Sequence, residues 1–224
     1  MKVFTVIGTS NSGKTTTIEA AVAELKRRGF RVGSVKEIHY EAFAIDPLPT
    51  SNTRRHRAAG AELVTARGYG ETDMLYPGKL PMKEILRHYK DYDWVALEGV
   101  DDLCFPAIIC AHDIPGLELK WRGTAIAVAG RISSGQDEYK GLPIFNVLNE
   151  TEELGDFLLK NVPDFLECYD PDEAASGIDI TLEIDGATIR MVPFVQKILR
   201  NAVMGVVKEL EGYKEGAEVV LRLD

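Results

Sequence analysis

Eight consecutive residues near the start of the chain have the types and spacing to hold a polyphosphate. Gly8-Thr9-Ser10-Asn11-Ser12-Gly13-Lys14-Thr15 fits the pattern G-x-x-x-x-G-K-[ST] without deviation. In such a loop the glycines let the backbone curl, so that successive N–H groups converge on phosphate oxygens. The helix N-terminus behind the loop adds partial positive charge. Lys14 is then placed to reach the β- and γ-phosphates and Thr15 to ligate Mg²⁺, with Thr16 completing the nucleotide-contacting set.

A loop of this kind needs a carboxylate near the metal, and Asp93-Trp94-Val95-Ala96-Leu97-Glu98-Gly99 offers two. Asp93 precedes the apolar strand and so lies at the wrong end of a parallel sheet. Glu98 follows it, at the carboxyl edge where ligands bind, and is the expected metal or water-positioning group. Asp46, before Pro47, is a second candidate ligand; the alternative is an ordinary turn aspartate.

Other residues admit two readings each. Arg54, Arg55, His56 and Arg57 form a local basic cluster, suited to bidentate phosphate binding or to a solvated helix face. His39 is either a ligand or a loop histidine held by its neighbours. His88 and His112 have no partner pattern and receive no role. Gly130-Arg131 follows an apolar strand at the ligand edge, so Arg131 could contact a base. No NKxD-type aspartate accompanies it.

The elements that must position these groups follow from periodicity. Val3, Phe4, Val6 and Ile7 read as a buried strand, and Ile18, Ala21, Val22 and Leu25 as one apolar helical face ending before Gly29. Arg31–Lys36 reads as a second strand. Residues 37–81 have poor periodicity, with one short helix expected around Thr53–Leu63. A helix over Met82–Tyr89 and strands at Trp94–Leu97, Ala107–Cys110, Thr124–Ala129 and Pro143–Phe145 follow. Asn149 with Glu152 offers a capping box for a helix to about Val162. Strands alternating with helices make an α/β fold, a doubly wound, mainly parallel sheet, the economical solution.

Three regions result: a nucleotide-binding domain over 1–162, a linker over 163–176, and an appended module over 177–224. In the module Ile178–Ile184 alternates as a strand, Asp185-Gly186 turns, and Ala187–Met191 returns. A helix beginning near Pro193 and a strand at Glu218–Leu223 complete a β-β-α-β pattern. Charge marks the same boundary. The 224 residues carry 26 Lys and Arg against 35 Asp and Glu, net −9. Residues 1–149 hold 19 and 18 of these, whereas residues 150–224 hold 7 and 17. The acidic last third argues against nucleic acid or an anionic membrane as its partner. Three cysteines without a CxxC indicate neither a disulfide framework nor a zinc site. The expected setting is the cytoplasm, and no apolar run reaches membrane-spanning length.

Val35-Lys36-Glu37-Ile38-His39, Asp46, Arg57-Ala58-Ala59-Gly60-Ala61, Leu97-Glu98-Gly99 and Ile126–Ala129, taken with the loop, are a more specific combination than the loop alone. In this order they resemble the molybdopterin-guanine dinucleotide biosynthesis protein B (MobB) family over about residues 2–162. The resemblance implies a homodimeric, MinD-like P-loop protein that binds GTP with Mg²⁺ and hydrolyses it slowly. It also implies a partner, the molybdopterin guanylyltransferase, with molybdopterin as substrate in molybdenum or tungsten cofactor maturation. By the same resemblance Thr15, Glu98 and Asp46 serve Mg²⁺, Lys36 and His39 face the nucleotide or pterin crevice, and Asn52–Arg57 line a second anion site. A nucleotide-gated adaptor, or another MinD-like NTPase, is the alternative reading. The chain has His39-Tyr40-Glu41 where bacterial members often carry His-His-Asp, and Pro49-Thr50-Ser51-Asn52 where they tend to have Gly-Lys-Asp-Ser. The tail is absent from the short members of the family.

Overall fold

Apolar runs separated by the loop and by polar connections become neighbouring strands of one sheet. The computed structural model describes residues 1–40, 43, 50–101 and 105–165, and beyond them 182–184, 187–189, 199, 203–207 and 214. Along the chain come β1 (Lys2–Gly8), α1 (Lys14–Arg27), β2 (Val32–Lys36), α2 (Asn52–Ala58), β3 (Val64–Arg67) and β4 (Thr72–Leu75). They are followed by α3 (Met82–Arg87), β5 (Trp94–Glu98), β6 (Ala107–Cys110), α4 (Ile114–Leu119) and β7 (Ala125–Ala129). A 3₁₀ turn (Arg131–Ser134), β8 (Glu138–Tyr139), β9 (Leu142–Phe145) and α5 (Thr151–Asn161) complete the body, and β10 (Leu182–Ile184) and β11 (Ala187–Ile189) lie in the tail.

The seven-stranded sheet has the order β2-β5-β1-β6-β7-β9-β8, and its β8–β9 pair is antiparallel while the rest run parallel. The α/β class and mainly parallel sheet expected from the sequence are therefore the observed ones. Strand alternation divides the core between the two faces. Phe4, Val6, Trp94, Ala96 and Ile108 face α1 and α5, packing on Ile18, Ala21, Leu25, Leu154 and Leu158. Val3, Val95 and Leu97 face the other way, onto Met82 and Leu86 of α3 and onto Phe105. Farther along that face, Ile7, Ile109 and Val128 meet Leu117 of α4. Each fully buried Leu or Ile contributes about 1.5–3 kcal/mol by leaving water, so the stripe of α1 suffices to fix its azimuth on the sheet.

Several local expectations are revised. The helix expected over Thr53–Leu63 closes at Ala58, because Gly60 takes φ 102 and its N–H turns back to the Arg57 carbonyl. The chain then forms the β3–β4 hairpin, closed by Gly68 N–H donating to the Glu71 carbonyl; Met74 is exposed while Asp73 is half-buried, which breaks the apolar-polar alternation. The short α4 and β8 were also not expected. The capping box at Asn149 does not form. Glu150 is the N-cap of α5, and its carboxylate accepts the Asn146 N–H at 2.7 Å rather than an amide of its own helix. Past Val162 the chain stays on the body: Asp164 bridges Lys2, Phe165 N–H donates to the Met1 carbonyl at 2.7 Å, and the Phe165 ring lies 6.1 Å from that of Phe105.

In the tail, β10 and β11 pair antiparallel with Ile184 opposite Ala187, as the expected turn requires. Residues 203–207 are helical within the helix expected from Pro193. Asp185-Gly186 and the strand expected at 218–223 lie outside the described residues. No helix of the described residues is long and apolar enough to cross a membrane.

One charged group is built into the α1–α5 contact. Glu24 is 4% exposed and accepts from Arg27 Nε and Nη2 and from Arg28 Nε, each at 2.7 Å. Arg28 continues to the Glu152 carbonyl and Asp156 on α5. Gly155 leaves the room, since a β-carbon there would stand 2.7 Å from Glu24 Cγ. The Arg27 hydrogen bonds outweigh burial and, with Arg28, hold the Glu24 carboxyl down at about 2. A depressed carboxylate stabilises the fold above its unfolded value, and that stabilisation is lost as pH falls toward the folded one. Urea denaturation across pH should therefore show stability falling from about pH 4.5 to about pH 2. Glu24→Gln should lower stability at pH 7 by about 2 kcal/mol and flatten that acid limb.

Candidate functional site

Where β1 ends, the chain turns through residues 9–13 and enters α1 at Lys14. Gly13 stands at the N-cap with φ 102, no side chain caps the first turn, and no acidic residue lies in it. At α2 and α4 the first turn is instead closed by Ser51 and Asp113, and at α3 and α5, which also lack a side-chain cap, it carries Glu84 and Glu152 with Glu153 respectively. The first-turn amides of α1 are thus left for an anion, which the helix dipole favours. Lys14 Nζ lies over the loop, donating to the carbonyls of Gly8 at 3.1 Å and Thr9 at 2.6 Å. Inside the curl the buried Ser12 hydroxyl donates to the Thr9 carbonyl at 2.9 Å, and Asn11 takes φ 58.

Two glycines let the loop sit directly on the sheet edge. A β-carbon on Gly8 would stand 2.1 Å from the Cys110 carbonyl oxygen, and one on Gly130 would stand 2.3 Å from that of Ser12. Gly130 also has φ 96, so the chain leaving β7 both turns there and buttresses the loop. His112, just past β6, reaches the loop as well, its Nε2 donating to the Ser10 carbonyl at 3.2 Å. Sequence reasoning assigned no role to Gly130 or His112. A glycine at the end of an apolar strand was the available signal for the first; nothing marked the second.

The carboxylate comes from β5. Lys36, Glu98 and Val6 share one register across β2, β5 and β1, and Glu98 continues the row of Trp94 and Ala96 that faces α1. Strand alternation therefore aims Glu98 at the first turn of α1, where the Thr15 hydroxyl donates to its Oε1 at 2.9 Å. Lys36 Nζ lies 3.0 Å from the same oxygen. His39 Nε2 donates to the Gly99 carbonyl at 3.1 Å, beside this pair. Asp93 sits at the opposite end of β5, accepting the Arg31 N–H at 2.7 Å, as its position before the strand required.

Gly8 to Thr16, Lys36, His39 and Glu98 are thus gathered at one edge. Asp46 lies outside the described residues. Arg54 and Arg57 ride on α2, which packs against β3, so the excursion carries them and the sheet does not. Arg131 is exposed at the start of the 3₁₀ turn, directly after the Gly130 buttress. Cys110 is a core residue, its Sγ 3.3 Å from Thr17 Oγ1 and its thiol pushed up to about 11 by burial. Cys104 and Cys168 lie outside the described residues.

The donor set suits a hard cation. Thr15 Oγ1 and Glu98 Oε1 are adjacent oxygens, and among the described residues no group of three or more His, Cys, Asp or Glu could cage a metal alone. One carboxylate and one hydroxyl, completed by phosphate oxygens and water, is how proteins commonly hold Mg²⁺.

Residues 3–129 match the family model described as molybdopterin guanine dinucleotide synthesis protein B. A Bacillus subtilis protein named a probable molybdopterin-guanine dinucleotide biosynthesis adapter protein is 25% identical over 143 residues, covering 63% of this chain and 83% of its own. A Methanocaldococcus jannaschii protein carrying the same adapter name as putative is 26% identical, covering all of this chain and 98% of its own. Among solved structures, Bacillus subtilis MobB superposes with a TM-score of 0.59 at 23% identity, covering 73% of this chain and 99% of that one. A Bacillus stearothermophilus MobB homolog gives a TM-score of 0.54 at 22% identity, covering 71% and 97%. These structures share the fold of the body; the archaeal relative also spans the tail.

The buttress is testable by itself. Gly130→Ala places a methyl against the Ser12 carbonyl in a left-handed conformation and should cost about 2 kcal/mol or more in urea denaturation. Gly135→Ala, with nothing within 4 Å of the new carbon, should stay within about 0.5 kcal/mol of the parent.

Proposed function

The chain belongs to the molybdopterin guanine dinucleotide synthesis protein B family, and we propose that it binds GTP and Mg²⁺ in the loop of residues 8–15 and serves a molybdopterin guanylyltransferase as its adapter. The observation that carries this reading is the Thr15–Glu98 hydrogen bond, 2.9 Å long, which joins the loop to the carboxyl end of the adjacent strand. It brings together the two side-chain oxygens that a nucleotide-bound Mg²⁺ uses. Guanine rather than adenine rests on the family. Arg131, exposed directly after the buttress, is the side chain assigned to the base in this reading.

Each group then has a distinct task. The loop amides and the α1 dipole hold the phosphates, and Lys14 swings from its carbonyl contacts onto the β- and γ-oxygens. Thr15 and Glu98 would hold Mg²⁺, which when bound neutralises charge on the transferring phosphoryl group. These groups bind and position. A fast NTPase adds an arginine finger or a glutamine that orients water, so hydrolysis here is expected to be slow. Pairing of two copies as a homodimer, a cytoplasmic setting and molybdopterin as the partner's substrate belong to the same reading.

A second reading is favoured by one observation. Residues 150–224 carry 17 acidic against 7 basic side chains, a surface suited to docking a basic partner. In that case GTP gates association and hydrolysis is incidental. A pull-down of the guanylyltransferase with GTP, GDP and a non-hydrolysable analogue separates the two. Retention with the analogue as with GTP supports gating, whereas a requirement for turnover supports the enzymatic role.

For the site itself, titration with GTP, ATP and molybdopterin-guanine dinucleotide should show preference for the guanine ligands. Lys14→Ala should reduce GTP affinity by at least about 100-fold while leaving the circular dichroism spectrum unchanged, because the ammonium contacts only loop carbonyls in the fold. Equal affinity for ATP, or undiminished GTP binding by the variant, would count against the assignment.

A further inference from the structure

We propose that Lys36 is an exchangeable counter-ion for Glu98: its ammonium neutralises the carboxylate until a divalent cation arrives with the nucleotide and takes its place. The proposal rests on the nucleotide-binding reading above and adds a regulation of that site. Glu98 Oε1 has two partners in the fold, the Thr15 hydroxyl at 2.9 Å and Lys36 Nζ at 3.0 Å. A cation ligated by both Thr15 and Glu98 must approach each oxygen to about 2.1 Å. Lys36 and that cation would therefore compete for one carboxylate oxygen at close range, with like charge.

The two partners of the ion pair are unequally buried. The Glu98 side chain is 11% exposed and that of Lys36 is 57% exposed. A carboxylate held away from water needs a positive partner, whereas an ammonium half in water can leave with little loss of hydration. Lysine suits this task better than arginine, because a point charge on a flexible stem makes no bidentate clamp that must be broken. The backbone preserves the arrangement: Lys36 pairs in register with Glu98, and Glu37 N–H donates to the Glu98 carbonyl at 2.9 Å. Displacement of the side chain thus leaves the strand in place and puts a free ammonium on the ligand edge.

Mn²⁺ titration by electron paramagnetic resonance, without nucleotide, measures the competition directly. Lys36→Met should bind Mn²⁺ about fivefold more tightly than the parent, and the Mg²⁺ concentration that half-saturates GTP binding should fall by a similar factor. Lys36→Arg keeps the charge and adds a bidentate clamp, so it should bind Mn²⁺ no more tightly than the parent. In a Glu98→Gln background the effect of Lys36→Met should vanish, since the oxygen in dispute is no longer ionised. An unchanged or weakened Mn²⁺ affinity in Lys36→Met overturns the proposal. So does an effect that survives in the Glu98→Gln background. If the parent protein binds no GTP, the nucleotide reading fails, and the Mn²⁺ arm still decides the role of Lys36.

Discussion

The register of three adjacent parallel strands is the constraint on which the site depends. Lys36, Glu98 and Val6 stand side by side on β2, β5 and β1. Because side chains alternate, a shift of one residue in β5 would aim Glu98 at the α3 face and expose Trp94 and Ala96 to the wrong layer. Packing against α1 and α5 forbids that slip, since Phe4, Val6, Trp94 and Ala96 share their cluster with Ile18, Ala21 and Leu25. The hydrophobic core thereby chooses which carboxylate meets Thr15. The polar chemistry at the sheet edge inherits its geometry from apolar rows several residues away.

A second constraint acts at short range. The glycine-rich loop stands on the sheet because Gly8 and Gly130 lack side chains that would collide with the carbonyls of Cys110 and Ser12. Four segments therefore converge: the end of β1, the first turn of α1, the end of β6 and the exit of β7. Close backbone contact of this kind makes a rigid cradle, which lets amide dipoles act without reorganising around an arriving anion.

Much of this was legible in the sequence because it is local or periodic. The loop motif, the strand–helix boundaries of β1 and α1, and the placement of Glu98 and Asp93 at opposite ends of β5 follow from spacing and strand direction. The hairpin of β3 and β4 is not legible because its strands are four residues each and β4 breaks the alternation, with Met74 exposed and Asp73 half-buried. The capping box at Asn149 failed because Glu150 satisfies the Asn146 amide instead, a choice set by how the chain leaves β9. The contacts of Gly130 and His112 with the loop span more than 100 residues of sequence; a glycine closing an apolar strand hints at the first, and no local pattern encodes the second.

The antiparallel bridge from Asp164 to Lys2 has a consequence for how the tail can act. The last described residues of the body, through Phe165, are fastened at the beginning of β1, whereas the glycine-rich loop lies beyond its end. The length of β1, Lys2 to Gly8, separates the two points, a span of about 20 Å. The chain therefore departs from the side of the molecule away from the crevice. The terminal strand of the body is thereby closed at its base by backbone contacts with residues more than 160 positions away in sequence.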